Sequence, residues 1–334
     1  MASSALRVAF TAVAVAVAFP AIATATKAPA GVIAVPLSRD EGLTAYFAKL
    51  QVGTPPQTEY LKIDTGSPRY SFLDPRNEVC LRDGDPWLSL ECGYAGPKCT
   101  DKTSAYALPE LKNASKINYL ASSIYLGPDD KEASNAMMLL GGAYDKAKIE
   151  GDVITVPMVD PFNVELSGGQ TNSVNVTSVE VFLSNGNNHT TETYGDKGVG
   201  VPVLLDTGVA NWYLTDKTMA PIYRAFDIND APPPGQRYFV VDCKYADLQR
   251  SDGYVSVEFG VNGKIKVPFH GLVSKFPDGT CGVFASSRGD TVSIFGDPFL
   301  RNVYSIFDQE NFSVSLGQVK HTSEENIVPF PSGG

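Results

Sequence analysis

One short segment occurs twice in this chain of 334 residues, and it constrains the fold more than any other feature. The run Leu61–Ser67 ends in Asp-Thr-Gly-Ser, and the run Val203–Val209 ends in Asp-Thr-Gly-Val. One Asp-Thr-Gly alone would be typical of an ordinary turn. In both copies, however, an apolar, strand-like stretch stops at the aspartate, and the glycine allows a tight turn. The repeat predicts two related halves, each with one carboxylate at a strand end.

Two further motifs accompany the repeat, one before its first copy and one after its second. Val52–Gln57 reads Val-Gly-Thr-Pro-Pro-Gln just before the first aspartate, and Phe295–Asp308 begins Phe-Gly-Asp-Pro-Phe-Leu-Arg. With these motifs the chain, from about Ala45 onward, resembles the pepsin-like aspartic proteases, in particular the secreted fungal members. The resemblance implies an all-β, bilobal fold in which two β-rich lobes enclose a cleft.

The resemblance also assigns the site. It implies that Asp64 and Asp206 are the catalytic pair. The active-site loops beside them would contain Thr65, Gly66, Ser67, Thr207 and Gly208. Two close carboxylates cannot both ionise, so the pair supplies one base and one acid without a cofactor or a metal ion. We therefore expect hydrolysis of peptide bonds by an activated water, with a bell-shaped pH profile in acid that belongs to the pair.

The second loop departs from the family pattern at one position. Val209 stands where the family usually has a hydroxyl residue that can bond to a carboxylate. Losing one such hydrogen bond costs about 1 kcal/mol, which we expect the site to tolerate.

The charge balance argues against one class of partner. Asp and Glu total 37 against 27 Lys and Arg, so the formal net charge is -10. Binding to nucleic acid needs a basic footprint, and we expect none here. The three histidines, His189, His270 and His321, are far apart without the spacing of zinc ligands, so we expect surface histidines and no metal site.

The first 25 residues are typical of a secretory signal peptide. Arg7 precedes the apolar run Val8–Phe19, and small residues follow around Ala21–Ala25. No other stretch is long enough to span a membrane, and no lipid-anchor signal is recognised at the C-terminus. We expect a secreted, extracellular monomer that acts on polypeptides, with an N-terminal lobe at 26–150 and a C-terminal lobe at 151–334.

Secretion determines how the five cysteines are interpreted, because an oxidising route favours disulfides. The resemblance implies a disulfide between Cys243 and Cys281. Of the remaining three, Cys80 and Cys92 are the preferred pair, which leaves Cys99 without a partner in the chain. Four glycosylation sequons predict a glycoprotein; they lie at Asn113, Asn175, Asn188 and Asn311.

One part of the family pattern is missing. The family carries a β-hairpin, the flap, which closes over the substrate with a Tyr-Gly-x-Gly type motif, and no such motif occurs between Asp64 and Lys112. We therefore expect an incomplete first lobe. This leaves an alternative to an active protease: a catalytically silent relative that binds peptides or proteins, or a defective splice isoform.

The remaining segments predict particular elements. A strand at 31–37 and another at 46–52 should form a hairpin, and a helix and then a strand should follow within 108–126. We expect a strand, a short turn and a second strand over 139–157, and antiparallel sheet over 167–193. A strand and a short helix are expected at 211–226, and a hairpin at 255–268.

Overall fold

The computed structural model of the chain describes residues 28–39, 45–52, 57–66, 107–128, 135–160, 171–183, 189–193, 200–228, 238–247, 253–260, 263–276, 278–287 and 293–330. The predicted signal peptide, the flap region and Ser67 lie outside the described residues, as do Cys80, Cys92 and Cys99. The described chain forms two compact units. The smaller contains residues 49–52 and 57–61, and the larger contains all the others.

Strands dominate the described chain as far as residue 193. The single helix described there is α1 (Ala107–Asn113). The strands are β1 (Ile33–Arg39), β2 (Tyr46–Val52), β3 (Gln57–Lys62), β4 (Ala121–Tyr125), β5 (Met137–Leu140), β6 (Ala143–Asp145), β7 (Ile149–Pro157), β8 (Ser173–Val176), β9 (Ser178–Leu183) and β10 (His189–Thr193).

The described chain from residue 200 onward is also mainly strand. Its helices are α2 (Asp216–Ala225) and α3 (Asp297–Leu300). Its strands are β11 (Val201–Leu205), β12 (Trp212–Leu214), β13 (Phe239–Val241), β14 (Gly253–Glu258), β15 (Lys264–Pro268), β16 (Val273–Lys275), β17 (Cys281–Val283), β18 (Ala285–Ser287), β19 (Ser293–Phe295), β20 (Val303–Asp308), β21 (Ser313–Val319) and β22 (Ile327–Pro329). Short 3-10 turns occur at Lys146–Lys148, Cys243–Ala246 and Phe269–Leu272.

The largest sheet combines strands from both ends of the chain. Six strands of the larger unit follow one another in the order β1-β5-β4-β20-β21-β7, and each neighbouring pair is antiparallel. The first residues of β2 pair with β1 on the other side. All five residues of β4 are buried, as expected for a strand covered on both faces. Strands β20 and β21 therefore complete a sheet that the first half of the chain begins.

A second sheet positions the later aspartate. Its order is β18-β12-β19-β11-β8, in which β11 runs parallel to β19 and antiparallel to β8. The last three residues of β11, Val203 to Leu205, are buried, which explains the apolar run before the second Asp-Thr-Gly. A four-stranded sheet, β10-β9-β14-β15, a three-stranded sheet, β13-β17-β16, and the pair β22-β6 complete the larger unit.

The smaller unit contains the end of β2 and most of β3. These strands are neighbours in the sheet order, and the Gln51 amide donates to the Thr58 hydroxyl at 2.8 Å. In the described part of the chain, no helix is both long and apolar enough to cross a membrane.

Most of the expected elements are confirmed. β1 and β2 pair, α1 precedes β4, β12 precedes α2, and β14 and β15 form a hairpin. β9 and β10 are antiparallel, as predicted for the polar stretch. The segment 139–157 differs, because it contains the end of β5, all of β6 and all of β7. Gly141 and Gly142 have φ angles of 109° and 88°, a backbone that other residues rarely adopt, and so separate β5 from β6.

A buried ionic cluster centres on Asp297, the aspartate of the Phe-Gly-Asp motif. One of its oxygens accepts hydrogen bonds from Arg39 at 2.5 Å and from Arg301 at 3.1 Å, and the other accepts from the Tyr46 hydroxyl at 2.8 Å. The side chains of Arg39, Asp297 and Arg301 are 7%, 4% and 3% exposed. Burial, with the nearby negative charge of Asp297, raises the pKa of Tyr46 well above its usual value. The cluster ties β1, β2 and α3 together.

Removing the charge of Asp297 should therefore destabilise the fold. We expect Asp297→Asn to lower the free energy of unfolding by about 3–5 kcal/mol, because two buried guanidinium groups lose their counter-charge. Urea denaturation at constant pH measures this. Tyr46→Phe is the matched control: it removes one bond to the same carboxylate and should cost about 1.5–3 kcal/mol. An Asp297→Asn variant less damaged than Tyr46→Phe would contradict the role given to the cluster.

The structure joins Cys243 and Cys281 in a disulfide, the pairing that the resemblance implied. Their Cα atoms are 5.2 Å apart, and the bond connects the 3-10 turn at Cys243–Ala246 to β17. The bond closes a loop with a sequence separation of 38 residues.

Opening this loop should lower stability through the entropy of the unfolded chain. For a loop of this length the entropic account gives about 4 kcal/mol. We expect the double variant Cys243→Ser, Cys281→Ser to lose stability of that order in chemical denaturation. Reduced wild-type protein is the comparison and should lose at least as much, because reduction also opens the predicted bridge between Cys80 and Cys92. A double variant as stable as the oxidised parent would refute the expectation.

Candidate active site

Each aspartate of the repeated segment lies just beyond the end of a strand. Asp64 comes two residues after β3, and Asp206 follows β11. The N–H of Asp206 donates to the carbonyl of Phe295 at 3.1 Å, so the parallel neighbour β19 fixes the backbone of the second loop. In each loop the glycine N–H donates to its own aspartate, at 3.0 Å from Gly66 to Asp64 and at 2.8 Å from Gly208 to Asp206. The two loops are therefore built alike.

The threonines of the two loops cross-link them. The Thr65 hydroxyl donates to the Leu205 carbonyl at 2.8 Å, and the Thr207 hydroxyl donates to the Ile63 carbonyl at 2.9 Å. Each hydroxyl also accepts from the other threonine's N–H, at 3.1 Å from Thr65 and at 3.0 Å from Thr207. Four reciprocal bonds thus hold the strand ends beside one another.

Glycine is required after each threonine because the opposite carboxyl group lies so close. A Cβ atom on Gly66 would lie 2.4 Å from the carboxyl carbon of Asp206, and one on Gly208 would lie 2.6 Å from that of Asp64. Any side chain at either position would push the two aspartates apart. The third residue of each Asp-Thr-Gly is therefore set by contact between the loops.

The two carboxyl groups interact electrostatically. Asp206 is 8% exposed, whereas Asp64 is partly exposed. Burial, then the charge of Asp64 and a hydrogen bond between the two carboxyl groups, raises the pKa of Asp206 to about 7, while the N–H groups of Gly208 and Gly66 oppose the rise. Below that pH Asp206 keeps its proton, so the pair can offer an acid beside a base.

The structure brings together Asp64, Thr65, Gly66, Asp206, Thr207 and Gly208, whereas Ser67 lies outside the described residues. The predicted bridge between Cys80 and Cys92 also lies outside them and stays a prediction.

Val209 is partly exposed, and its carbonyl accepts from the N–H of Asp297 at 2.9 Å.

The histidines lie in different surroundings. His270 is half-buried, so the expected surface position is wrong for it; burial and the charge of Arg301 lower its pKa. His321 is exposed, and its Nδ1 lies 2.9 Å from the Tyr125 hydroxyl. Among the residues that the structure describes, no three His, Cys, Asp or Glu side chains are grouped so as to hold a metal ion. The expectation of a cofactor-free site stays a prediction.

Two residues beside the loops were missed by sequence reasoning. The Asn172 amide donates to the Thr65 carbonyl at 2.9 Å, and the Gln309 amide donates to Asn172 at 2.9 Å. Asn172 lies in a polar stretch that predicted exposed sheet, and no local pattern marks it. Gln309 directly follows the Phe295–Asp308 motif. The sequence shows this motif, but it does not show that the residue after it contacts Asn172.

An all-β chain in which two Asp-Thr-Gly loops face each other has the architecture of the pepsin-like aspartic proteases. Comparison with known proteins identifies the family. The eukaryotic aspartyl protease family matches residues 90–319, more than half of the chain. Secreted aspartic protease 9 of Candida albicans is 33% identical over 216 residues, which cover 64% of this chain and 37% of the relative. Aspartic proteinase yapsin-3 of Saccharomyces cerevisiae is 29% identical over 283 residues, covering 82% of this chain and 52% of the relative.

The chain therefore belongs to the eukaryotic aspartyl protease family, and the predicted all-β, pepsin-like fold is confirmed. The family match begins beyond Asp64 and includes Asp206. The yapsin-3 match is so extensive that it must begin before Asp64 and continue past Asp206. The chain spans only about a third to a half of the length of these two relatives.

The raised pKa of Asp206 predicts how stability depends on pH. Between about pH 4 and about pH 7 the folded chain holds a proton that the unfolded chain releases, so the free energy of unfolding should fall as pH rises. One proton gives a slope of at most about 1.4 kcal/mol per pH unit. Asp206→Asn should remove this component, as measured by urea denaturation at several pH values.

Asp152→Asn is the control for this experiment. Asp152 is exposed on β7, so its replacement should leave the wild-type dependence unchanged. Equal slopes in wild type and Asp206→Asn would show that the two carboxyl groups do not share a proton.

Proposed function

We propose that this chain is a secreted acid endopeptidase that hydrolyses polypeptides with a water activated by Asp64 and Asp206. The observation that carries the proposal is the shared environment of the two carboxyl groups, in which the pKa of Asp206 is raised to about 7 by burial and by Asp64. Perturbed carboxyl pairs of this kind are typical of catalytic sites. The names of the relatives, secreted aspartic protease and aspartic proteinase, support the same class of reaction.

The chemistry follows from the unequal burial of the pair. In acid, Asp206 is protonated and can donate a hydrogen bond to the carbonyl oxygen of the scissile peptide. The other carboxyl group, Asp64, acts as the general base that takes a proton from the attacking water. The tetrahedral intermediate then collapses: its carbon–nitrogen bond breaks as the leaving nitrogen takes the proton that Asp64 removed from the water, and both carboxyl groups return to their starting states. Bond cleavage thus needs no covalent intermediate.

The hydrogen bonds around the pair support this role. The N–H groups of Gly66 and Gly208 hold one oxygen of each aspartate, and the threonine bonds keep the loops in register. The carboxyl groups are therefore oriented before substrate arrives, and a preorganised site spends less energy on reorganisation during the reaction.

The remaining expectations belong to the same proposal. The chain would enter the secretory route through a signal peptide at 1–25 and act as a monomer, with lobes at 26–150 and 151–334. Exposure of Asn113 and Asn311 is compatible with glycosylation there. An acidic net charge of -10 suits a secreted protein without nucleic-acid partners.

The experiment is cleavage of an unstructured protein by the purified secreted chain at about pH 4. We expect new fragments from the parent and a loss of at least about a hundredfold in rate for Asp206→Asn, because general acid–base catalysis contributes about 10²–10⁴-fold. Asp64→Asn should lose a similar factor. Asp152→Asn, prepared in the same way, should cleave like the parent, which shows that substitution of an exposed aspartate does not itself abolish activity, whereas the Asp206→Asn preparation excludes a contaminating protease.

The pH profile is the second readout. The rate should fall as the pH rises towards about 7, where the coupled pair loses its shared proton. A folded parent without cleavage would refute the proposal and favour a silent, peptide-binding relative. Cleavage that survives Asp206→Asn would assign the activity to another protein.

A further inference from the structure

Tyr46 and Asn172 occupy matching places beside the two Asp-Thr-Gly segments. The residue before the first aspartate, Ile63, donates its N–H to the Tyr46 carbonyl at 2.8 Å. The residue before the second, Leu205, donates its N–H to the Asn172 carbonyl at 3.0 Å. The backbone carbonyls of Tyr46 and Asn172 thus have the same role, because each accepts from the residue before an aspartate.

The side chains at these matching places do different work. The Tyr46 hydroxyl bonds to Asp297 in the buried ionic cluster. The Asn172 amide instead donates to the Thr65 carbonyl at 2.9 Å, directly behind Asp64. The support of the two loops is therefore asymmetric, and Asn172 is the member that connects one loop to the other.

Asn172 closes a ring of three hydrogen bonds. Leu205 donates to the Asn172 carbonyl, the Asn172 amide donates to the Thr65 carbonyl, and the Thr65 hydroxyl donates back to the Leu205 carbonyl at 2.8 Å. The ring links the strand before Asp206 to the residue after Asp64. A shift of either loop would stretch at least one of its bonds.

Neighbouring groups fix the orientation of the Asn172 amide. Gln309 donates to its oxygen at 2.9 Å, and the N–H of Gln309 donates to the Leu120 carbonyl at 2.9 Å, which anchors that residue. If the amide were flipped, its oxygen would face the Thr65 carbonyl. On the other side, the Thr171 hydroxyl bonds to the Val159 carbonyl at 3.0 Å and holds the segment in place.

We propose that Asn172 is a positioning residue of the active site, which sets the place of the Asp64 loop relative to Asp206 through its bond to Thr65. This inference rests on the proposed peptidase function. An amide suits the task because it does not titrate, so its donor remains present across the acid range in which the enzyme would work.

Substitution by aspartate makes this link depend on pH. A protonated carboxyl at position 172 can still donate to the Thr65 carbonyl, whereas an ionised one only accepts and repels it. The charged groups on the adjacent β20–β21 turn have partners of their own. Asp308 accepts from Tyr119 and Asn311, and Glu310 pairs with Lys112. The aspartates of the site are further negative charges that such a variant would meet.

The test compares Asn172→Leu and Asn172→Asp with the parent in kcat and KM for one peptide between pH 3 and pH 7. We expect Asn172→Leu to lose about 10–100-fold in kcat at every pH with KM within about twofold, since a small misplacement of a catalytic group can cost this much. Asn172→Asp should approach the parent's kcat at the acid end and lose activity earlier as pH rises. Asn326→Asp adds the same charge at an exposed position and should match the parent.

A second readout does not need turnover. Carboxyl-carbon NMR of the full chain follows the titration of Asp206, which should shift towards that of an ordinary aspartate in Asn172→Leu as Asp64 moves away. The inference would be overturned if Asn172→Leu left both kcat and the titration of Asp206 unchanged. It would also be overturned if Asn172→Leu and Asn172→Asp lost kcat/KM equally and only in step with a lower Tm. A parent that does not cleave refutes the proposed function, and the NMR shift then decides the inference alone.

Discussion

The reciprocal bonds between Thr65 and Thr207 are the constraint on which the rest of the site depends. Two aspartates that come 142 residues apart in sequence can share a proton only if their loops are held within hydrogen-bonding distance. Repulsion between the carboxylates opposes that approach. Four bonds between backbone and hydroxyl groups hold the loops together, and they are formed by residues that are not themselves charged. Their strength therefore does not change with the acidity of the solution.

The larger structure supports each strand end in a different way. Behind the second loop, β19 and α3 contact Asp206 and Val209 through backbone bonds. The first loop is held through β2, whose Tyr46 belongs to the ionic cluster of Asp297, and through the amide of Asn172. The two copies of the motif therefore have different surroundings, because different strands and side chains support each loop.

How much of this could be read from the sequence depends on how local the signal is. Asp64 and Asp206 were predictable because the apolar strand, the aspartate and the glycine are contiguous in both copies. Gly66 and Gly208 were predictable in identity, although the reason, contact with the opposite carboxyl group, appears only in three dimensions. Asn172 and Gln309 could not be found because topology alone brings them together. The partner of Asp297, Arg39, precedes it by 258 residues, beyond any local pattern.

The position of β20 has a consequence for the order in which the chain folds during synthesis. β20 pairs with β4, and Ser123 contacts Tyr304 across 181 residues of sequence. The largest sheet cannot close until this late strand has left the ribosome, so the earlier strands must wait with an unpaired edge. The carboxyl pair likewise cannot form before β11 and its parallel neighbour β19 have been synthesised. Because β20 lies between β4 and β21, the buried strand β4 keeps one open edge until β20 has been synthesised.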